Sequence, residues 1–300
     1  MIQRLDQLID AAKLKGKRHL VVAYANDAHT IGAVNAAIDC GIVDVTLFGS
    51  RQKITAICEE HSIDCTRLKI MEFESDTECV KMAVAYINQG KADILMKGVV
   101  STDKYMRGIL SKDGGLVPSS AVLSHVTIIE IPSYYKLLTI TDVAVIPAPD
   151  LSQKVALTRY VISVAHSLGI TMPKVAIIAP TEQMLPKLPS CVDAAIISKM
   201  GDRGQITGAL IDGPLAIDVA LDKETAKLKN LVSKVDADAD CLVFPNIEAA
   251  NAFFKCCTKL CNGSLAAIVM GAKVPCVLTS RGDSEKSKLY SIALAVLNTK

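Results

Sequence analysis

Short apolar runs alternate with stretches of helical spacing along almost the whole chain, and this alternation limits the folds open to it. Residues 19–24 (HLVVAY) are the first run. Residues 28–40 follow with apolar positions three and four apart, and Gly41 stands just past their end. Strand patterns recur at 43–48, 68–71 and 92–96, separated by helical patterns running to about His61 and over 77–88. Strands separated by helices of this length imply βαβ units, hence an α/β fold with largely parallel sheets flanked by helices. A second alternating region begins near residue 125. Its strand patterns are 126–131, 139–146, 174–179, 194–198, 241–244 and 274–279. Its helical patterns are 151–168, with Asp150 as N-cap, then 248–260 and 284–297.

Three hundred residues leave room for two domains, and half of them are hydrophobic while 21% are charged. The mean hydropathy of +0.34 excludes intrinsic disorder. Lys and Arg number 33 against 31 Asp and Glu, so the net charge of +2 offers neither a nucleic-acid footprint nor a polybasic membrane anchor. Aromatics are 4% with no Trp, too few for a base-stacking platform. A membrane span needs about 20 consecutive apolar residues. The longest candidate, 266–278, is broken by Lys273 and Pro275. Residues 1–17 are charged and amphipathic, without a signal-peptide core, so the chain is expected in the cytoplasm. The ten cysteines follow no framework or ligand spacing and read as small apolar fillers; no metal is expected.

In open α/β sheets, ligands bind beyond the carboxyl ends of strands. Four segments fall at such places. The first runs from Lys97 through Ser101 and Thr102 to Arg107: two hydroxyls start a helix, with an arginine one to two turns in. The second is Asp212-Gly213-Pro214, a turn by its residue types. The third holds Asn246, which reads first as the N-cap of the following helix. The fourth is Ser280-Arg281, between a buried-type strand and a helix. A helix start offers free N–H groups to an anion, serine adds a hydroxyl, and the arginine fork matches phosphate oxygens. On spacing alone, the plainer reading of each segment, a cap or a turn beside a solvated side chain, is the favoured one.

The turn after the first strand, Tyr24-Ala25-Asn26-Asp27-Ala28, lacks the glycines of a dinucleotide fingerprint, and neither a P-loop nor a G-x-S-x-G elbow occurs. The five histidines are scattered, and nothing picks out one cysteine as a nucleophile.

Taken together and in register, KGVVSTDKYMRGIL (97–110), DVAVIPAP (142–149), DGPLAIDVA (212–220), ADCLVFPNIEAAN (239–251) and TSRGDSEKSKLYSIA (279–293) resemble the phosphate acetyltransferase and phosphate butyryltransferase family over nearly the whole chain. The resemblance implies reversible acyl transfer between CoA and inorganic phosphate by direct attack in a ternary complex. CoA is then a substrate, and no cofactor is required. It implies two α/β domains with the active site in the interdomain cleft, the first taking back the C-terminal helix: 1–125 with 280–300, and 126–279. Ser280 and Arg281 match the family's catalytic pair. Arg107 matches an arginine serving the same anionic site, and Ser101, Thr102, Asp212, Gly213, Pro214 and Asn246 fall in the matched segments. The expected partners are acyl-CoA and phosphate or acyl phosphate, and a homo-oligomer is the expected state.

One departure stands out. In the acetyltransferase branch an Asp seven residues after the serine acts on the CoA thiol; here that position is Ser287. The base is left unassigned, with Asp283 and Glu285 close in sequence and a positive site able to favour thiolate by itself. The departure is more like the butyryltransferase branch. Two other classes compete: an NAD-dependent oxidoreductase on a similar scaffold, and a non-catalytic acyl-CoA sensor.

Overall fold

The computed structural model describes residues 1–119, 121–280 and 282–300. The chain divides into two compact units, one made of Leu5–Leu123 with Leu265–Lys300, the other of Met1–Arg4 with Ser124–Ser264.

The first unit opens with α1 (Gln7–Lys15) and then alternates β1 (Arg18–Ala23), α2 (Ala28–Asp39), β2 (Val43–Gly49), α3 (Arg51–Glu60), β3 (Lys69–Glu72), α4 (Asp76–Asn88), β4 (Ile94–Lys97) and α5 (Thr102–Leu110). The inner strands are buried on both faces, which is why they read as unbroken apolar runs. The second unit contains β5 (Ser124–Glu130), β6 (Leu138–Thr141), α6 (Leu151–Ser167), β7 (Lys174–Ile178), α7 (Pro189–Asp202), β8 (Leu210–Leu215), α8 (Ile217–Leu221), α9 (Lys223–Leu228), β9 (Cys241–Val243) and α10 (Ile247–Lys259). The chain then returns to the first unit with β10 (Ser264–Met270), β11 (Cys276–Val277) and α11 (Glu285–Leu297).

Strand order in the first unit is β3-β2-β1-β4-β11-β10, parallel throughout except for the β10–β11 pair. In the second unit it is β5-β6-β9-β7-β8, where β5 and β6 are antiparallel and the rest parallel. Asp150 caps α6 in a complete capping box with Gln153, and Asn246 caps α10 through the Ala249 N–H at 2.9 Å.

Four readings of the sequence are corrected. Residues 194–198 are not a strand but part of α7. Its Cys191, Ala194 and Ile197 are buried at helical spacing while Ile196 is 40% exposed, and a short apolar run alone does not separate the two periods. Asp212-Gly213-Pro214 is not a turn; it lies within β8. That strand has β7 as its one partner in this unit, and a proline is tolerated where no ladder amide is needed. The 139–146 strand stops at Thr141, because the buried Asp142 carboxylate draws the N–H groups of Ala144 and Val145, both at 2.8 Å, into a turn. Finally, residues 265–279 belong to the first unit rather than the second: β11 pairs with β4, Cys276 opposite Leu95, and β10 is a strand the apolar pattern left unassigned. Among the described residues no helix is long and apolar enough to cross a membrane.

The amino ends of the second unit's strands are tied by charge. Asp238 accepts from Lys174 Nζ at 2.9 Å and from the Tyr135 hydroxyl, and Lys136 bridges Asp238 at 3.1 Å and Asp240 at 2.6 Å. Burial pushes the Asp238 carboxyl up, but the hydrogen bonds from Tyr135, Lys174 and Lys136 outweigh it and hold the pKa at about 2. A depressed carboxylate stabilises the fold above its unfolded pKa of about 3.9, and that contribution fades as pH falls through 2. It amounts to roughly 2 kcal/mol. Urea unfolding followed between pH 5 and pH 2 should show a loss of about that size for the parent protein, and a clearly smaller one for Asp238→Asn.

Candidate active site

The turns that follow β1 and β4 lie against one another. The N–H groups of Gly98 and Val99 donate to the carbonyls of Ala23 and Tyr24 at 2.9 and 3.0 Å. A Cβ at position 98 would stand 2.1 Å from the Tyr24 oxygen, so only glycine permits this approach. Tyr24 itself takes φ 63°, turning the chain sharply out of β1 towards Asp27, the N-cap of α2.

Beyond these strand ends is a cavity of about 200 Å³ whose wall includes Asp27, Thr30, Lys97, Ser280 and Lys288. Two of these are cations out of reach of water. Lys97 and Lys288 are each 4% exposed. Lys97 ends β4, and its ammonium donates to the carbonyls of Gly98 and Val100, both at 3.0 Å. Lys288 rises from the first turns of α11 and donates to the carbonyls of Asp283 at 2.9 Å and Ser280 at 3.4 Å. It thereby anchors the loop that carries Ser280. The Ser280 N–H donates to Asp283 Oδ2 at 2.7 Å, and its Oγ accepts from the Gly282 N–H at 3.4 Å. Asp27 Oδ1 accepts the Thr30 N–H at 2.9 Å, while its Oδ2 is buried with no hydrogen-bond partner among the described residues.

Of the residues singled out from sequence, Ser280 stands in this cavity and Arg281 lies outside the described residues. Ser101 caps α5 through the Lys104 N–H at 3.3 Å, and Thr102 begins that helix. Arg107 is not in the Ser280 cavity wall: it pairs with Asp103 at 3.1 Å, 79% exposed, on a separate groove of about 660 Å³ between α4 and α5. That larger groove contains none of the strand-end groups. Asp212, Gly213, Pro214 and Asn246 belong to the second unit. Asp212 accepts from Ser198 Oγ at 3.2 Å and from the Gly213 N–H at 2.8 Å. A Cβ at Gly213 would meet the Ile177 carbonyl at 2.8 Å, so this glycine serves packing. Ser287 donates its N–H to Ser284 Oγ at 3.2 Å and belongs to the cap of α11.

Sequence reading gave no role to Asp27 or Lys288, and none to Lys97 although it opens the first strand-end segment. The signal for Lys97 was present: a lysine closes the apolar run Ile94-Leu95-Met96 at the point where a strand meets a glycine turn. Asp27 looked like an ordinary N-cap, which it also is. Lys288 sits in a polar stretch with Lys286, and only tertiary packing separates the buried lysine from the exposed one.

Comparison with known proteins covers nearly the whole chain. The family model described as phosphate acetyl/butaryl transferase matches residues 4–87 and 76–296. A phosphate butyryltransferase from Clostridium acetobutylicum is 39% identical over 297 residues, 99% of this chain and 98% of the relative. A phosphate acetyltransferase from Thermotoga maritima is also 39% identical, over 293 residues, 98% of this chain and 99% of the relative. Among solved structures, a branched-chain phosphotransacylase from Enterococcus faecalis V583 superposes with a TM-score of 0.81 at 26% identity, covering 94% of this chain and all of that one.

The cysteines stand apart from this chemistry. None lines the cavity among the described residues. Burial pushes the thiols of Cys79 and Cys257 up to about 11 and that of Cys276 up to about 12, which leaves almost no thiolate at neutral pH. No group of three or more His, Cys, Asp or Glu among the described residues is placed to hold a metal. Iodoacetamide at pH 7.5 should therefore label the exposed Cys256 before any buried thiol and leave turnover intact. An acyl group found on any cysteine by mass spectrometry of the working enzyme contradicts this.

Proposed function

Because the chain belongs to the phosphate acetyl/butaryl transferase family, we propose that this acyltransferase moves a short-chain acyl group, butyryl in preference, reversibly between CoA and inorganic phosphate. The observation that carries this reading is the cavity at Ser280, where two buried ammonium groups and a hydroxyl meet beyond the strand ends. A small anion suits such a place, because ammonium groups and a hydroxyl all donate hydrogen bonds to it.

A phosphate oxygen attacks the thioester carbonyl directly. Charge develops on the carbonyl oxygen, the C–S bond breaks, and CoA leaves as the thiol. Preorganised donors serve this step by meeting charge where it forms. In this reading Ser280 contacts the sulfur or the developing oxyanion, and Arg281 holds the phosphate oxygens. No acyl-cysteine is required, and CoA acts as substrate with no resident cofactor. The same reading places the enzyme in butanoate metabolism, in the cytoplasm, as a homo-oligomer.

Butyryl is preferred over acetyl on the strength of Ser287, which replaces the aspartate of the acetyl branch. Two further methylenes in an apolar pocket are worth about 1.6 kcal/mol, or roughly tenfold and more in kcat/KM. Thiol release from a panel of acyl-CoAs should depend on phosphate and favour butyryl-CoA by about that factor. Equal or better turnover of acetyl-CoA removes the branch assignment, and release without phosphate removes the reaction.

Arg281 carries a second expectation. Arg281→Ala should cost about 10²–10³ in turnover with the fold intact. Arg281→Lys, which keeps the charge and loses the fork, should also be far from neutral. Arg203, the C-cap of α7, serves as control and should show no such loss.

A further inference from the structure

We propose that Asp27 is a catalytic residue: it accepts the proton of the attacking phosphate, which Lys97 and Lys288 hold in the strand-end cavity, and passes that proton to the departing CoA sulfur. This rests on the reaction given above. It assigns a role that the replacement of the branch aspartate by Ser287 leaves open.

The reaction needs a proton carrier. Near neutral pH the attacking species is hydrogen phosphate, which bears one P–OH. Its oxygen forms the bond to the carbonyl carbon, the C–S bond breaks, and the sulfur keeps the electron pair. The products are an acyl phosphate without that proton and CoA with it. One proton therefore travels from a phosphate oxygen to a sulfur, and a carboxylate between them shortens the path.

Three carboxylates stand near Ser280, and two are engaged. Asp283 Oδ2 already accepts the Ser280 N–H at 2.7 Å. Glu285 is exposed and faces His29 Nδ1 at 3.7 Å, at the outer edge of α2. Asp27 differs. One oxygen caps α2, and the other is buried without a donor. Buried acceptors are nearly always paired, and an unpaired one costs free energy. A P–OH is the donor that would satisfy it. The terminal torsion of an aspartate is soft, so the carboxylate can turn towards the cavity while Oδ1 keeps the Thr30 N–H.

The surrounding charges fit the same ligand. Lys97 from β4 and Lys288 from α11 approach the cavity from two elements, and His29, which faces Glu285, also lines it. Two cations and one acceptor match an oxyanion that is charged and still carries a proton. Sulfate has the charge but no proton at this pH, so it meets Asp27 as repulsion. The arrangement therefore selects phosphate, and also arsenate, against sulfate.

The test uses full-length Asp27→Asn, with Asp27→Ser as the second variant because serine preserves the helix cap. Thiol release from butyryl-CoA should fall about 10²-fold or more in both. In Asp27→Asn the amide donates where the carboxylate repelled, so competitive inhibition by sulfate should tighten about tenfold relative to the phosphate KM. In the reverse direction, with acyl phosphate and CoA, the variants should recover rate as pH rises through about 8.5, where the thiol ionises unaided. Lys288→Met should raise the phosphate KM by more than that for butyryl-CoA. A folded Asp27→Asn enzyme with turnover within threefold of the parent, or with unchanged sulfate selectivity and no recovery at high pH, overturns the proposal. If the parent enzyme itself releases no thiol in response to phosphate, it is the acyl-transfer reading that fails.

Discussion

Two backbone hydrogen bonds hold the site of the first unit together, from the amides of Gly98 and Val99 to the carbonyls of Ala23 and Tyr24. They join the turn after β1 to the turn after β4 at a distance that excludes any side chain on residue 98. Asp27 follows from one turn and Lys97 from the other, so the carboxylate and the first buried ammonium take their places from backbone geometry. The third wall comes from α11, whose Lys288 grips two carbonyls of the loop that carries Ser280. Both ammonium groups donate to backbone carbonyls, so the loops that carry them are held in place beside the cavity.

The second unit uses its lysines differently. Lys136 and Lys174 meet Asp238 and Asp240 at the amino ends of strands, and the charges close upon themselves. Each charge there has at least one counter-charge within the network, which makes such a network structural. The contrast separates half-buried lysines that pair with carboxylates near strand starts from buried lysines, at the end of β4 and on α11, that hydrogen-bond to carbonyls beside a cavity.

Much of the architecture was legible because the βα alternation is a period-level signal that survives local noise. The caps at Asp150 and Asn246 were legible for the same reason: a cap is decided by its neighbours in sequence. The errors have one physical source, which is that a short apolar run has no period. Residues 194–198 gave no sign that Ile197 faces the core while Ile196 faces out. Gly213 and Pro214 carry turn chemistry, yet an edge position overrides it. At the site, Ser280 was found because hydroxyl and arginine at a helix start are a local pattern. Asp27 and Lys288 are 261 residues apart in number, and no spacing rule joins them. Only the fold makes them neighbours, and only the missing partner of one oxygen marks Asp27 as more than a cap.

The return of the chain to the first unit at Leu265 has a consequence for synthesis. β11 lies between β4 and β10, so the first unit's sheet is incomplete until β10 and β11 have left the ribosome. Residues 124–264 emerge as a contiguous block and can gather their own core meanwhile. The segment that begins the chain is thus among the last to reach its final packing. Its exposed strands β1 and β4 wait through the making of a whole second unit, the interval in which a nascent chain most needs a chaperone. The wait also keeps Asp27 and Lys97 apart from Ser280 and Lys288 until residues 265–297 have emerged, so a shorter nascent chain has no assembled pocket with which to waste thioester.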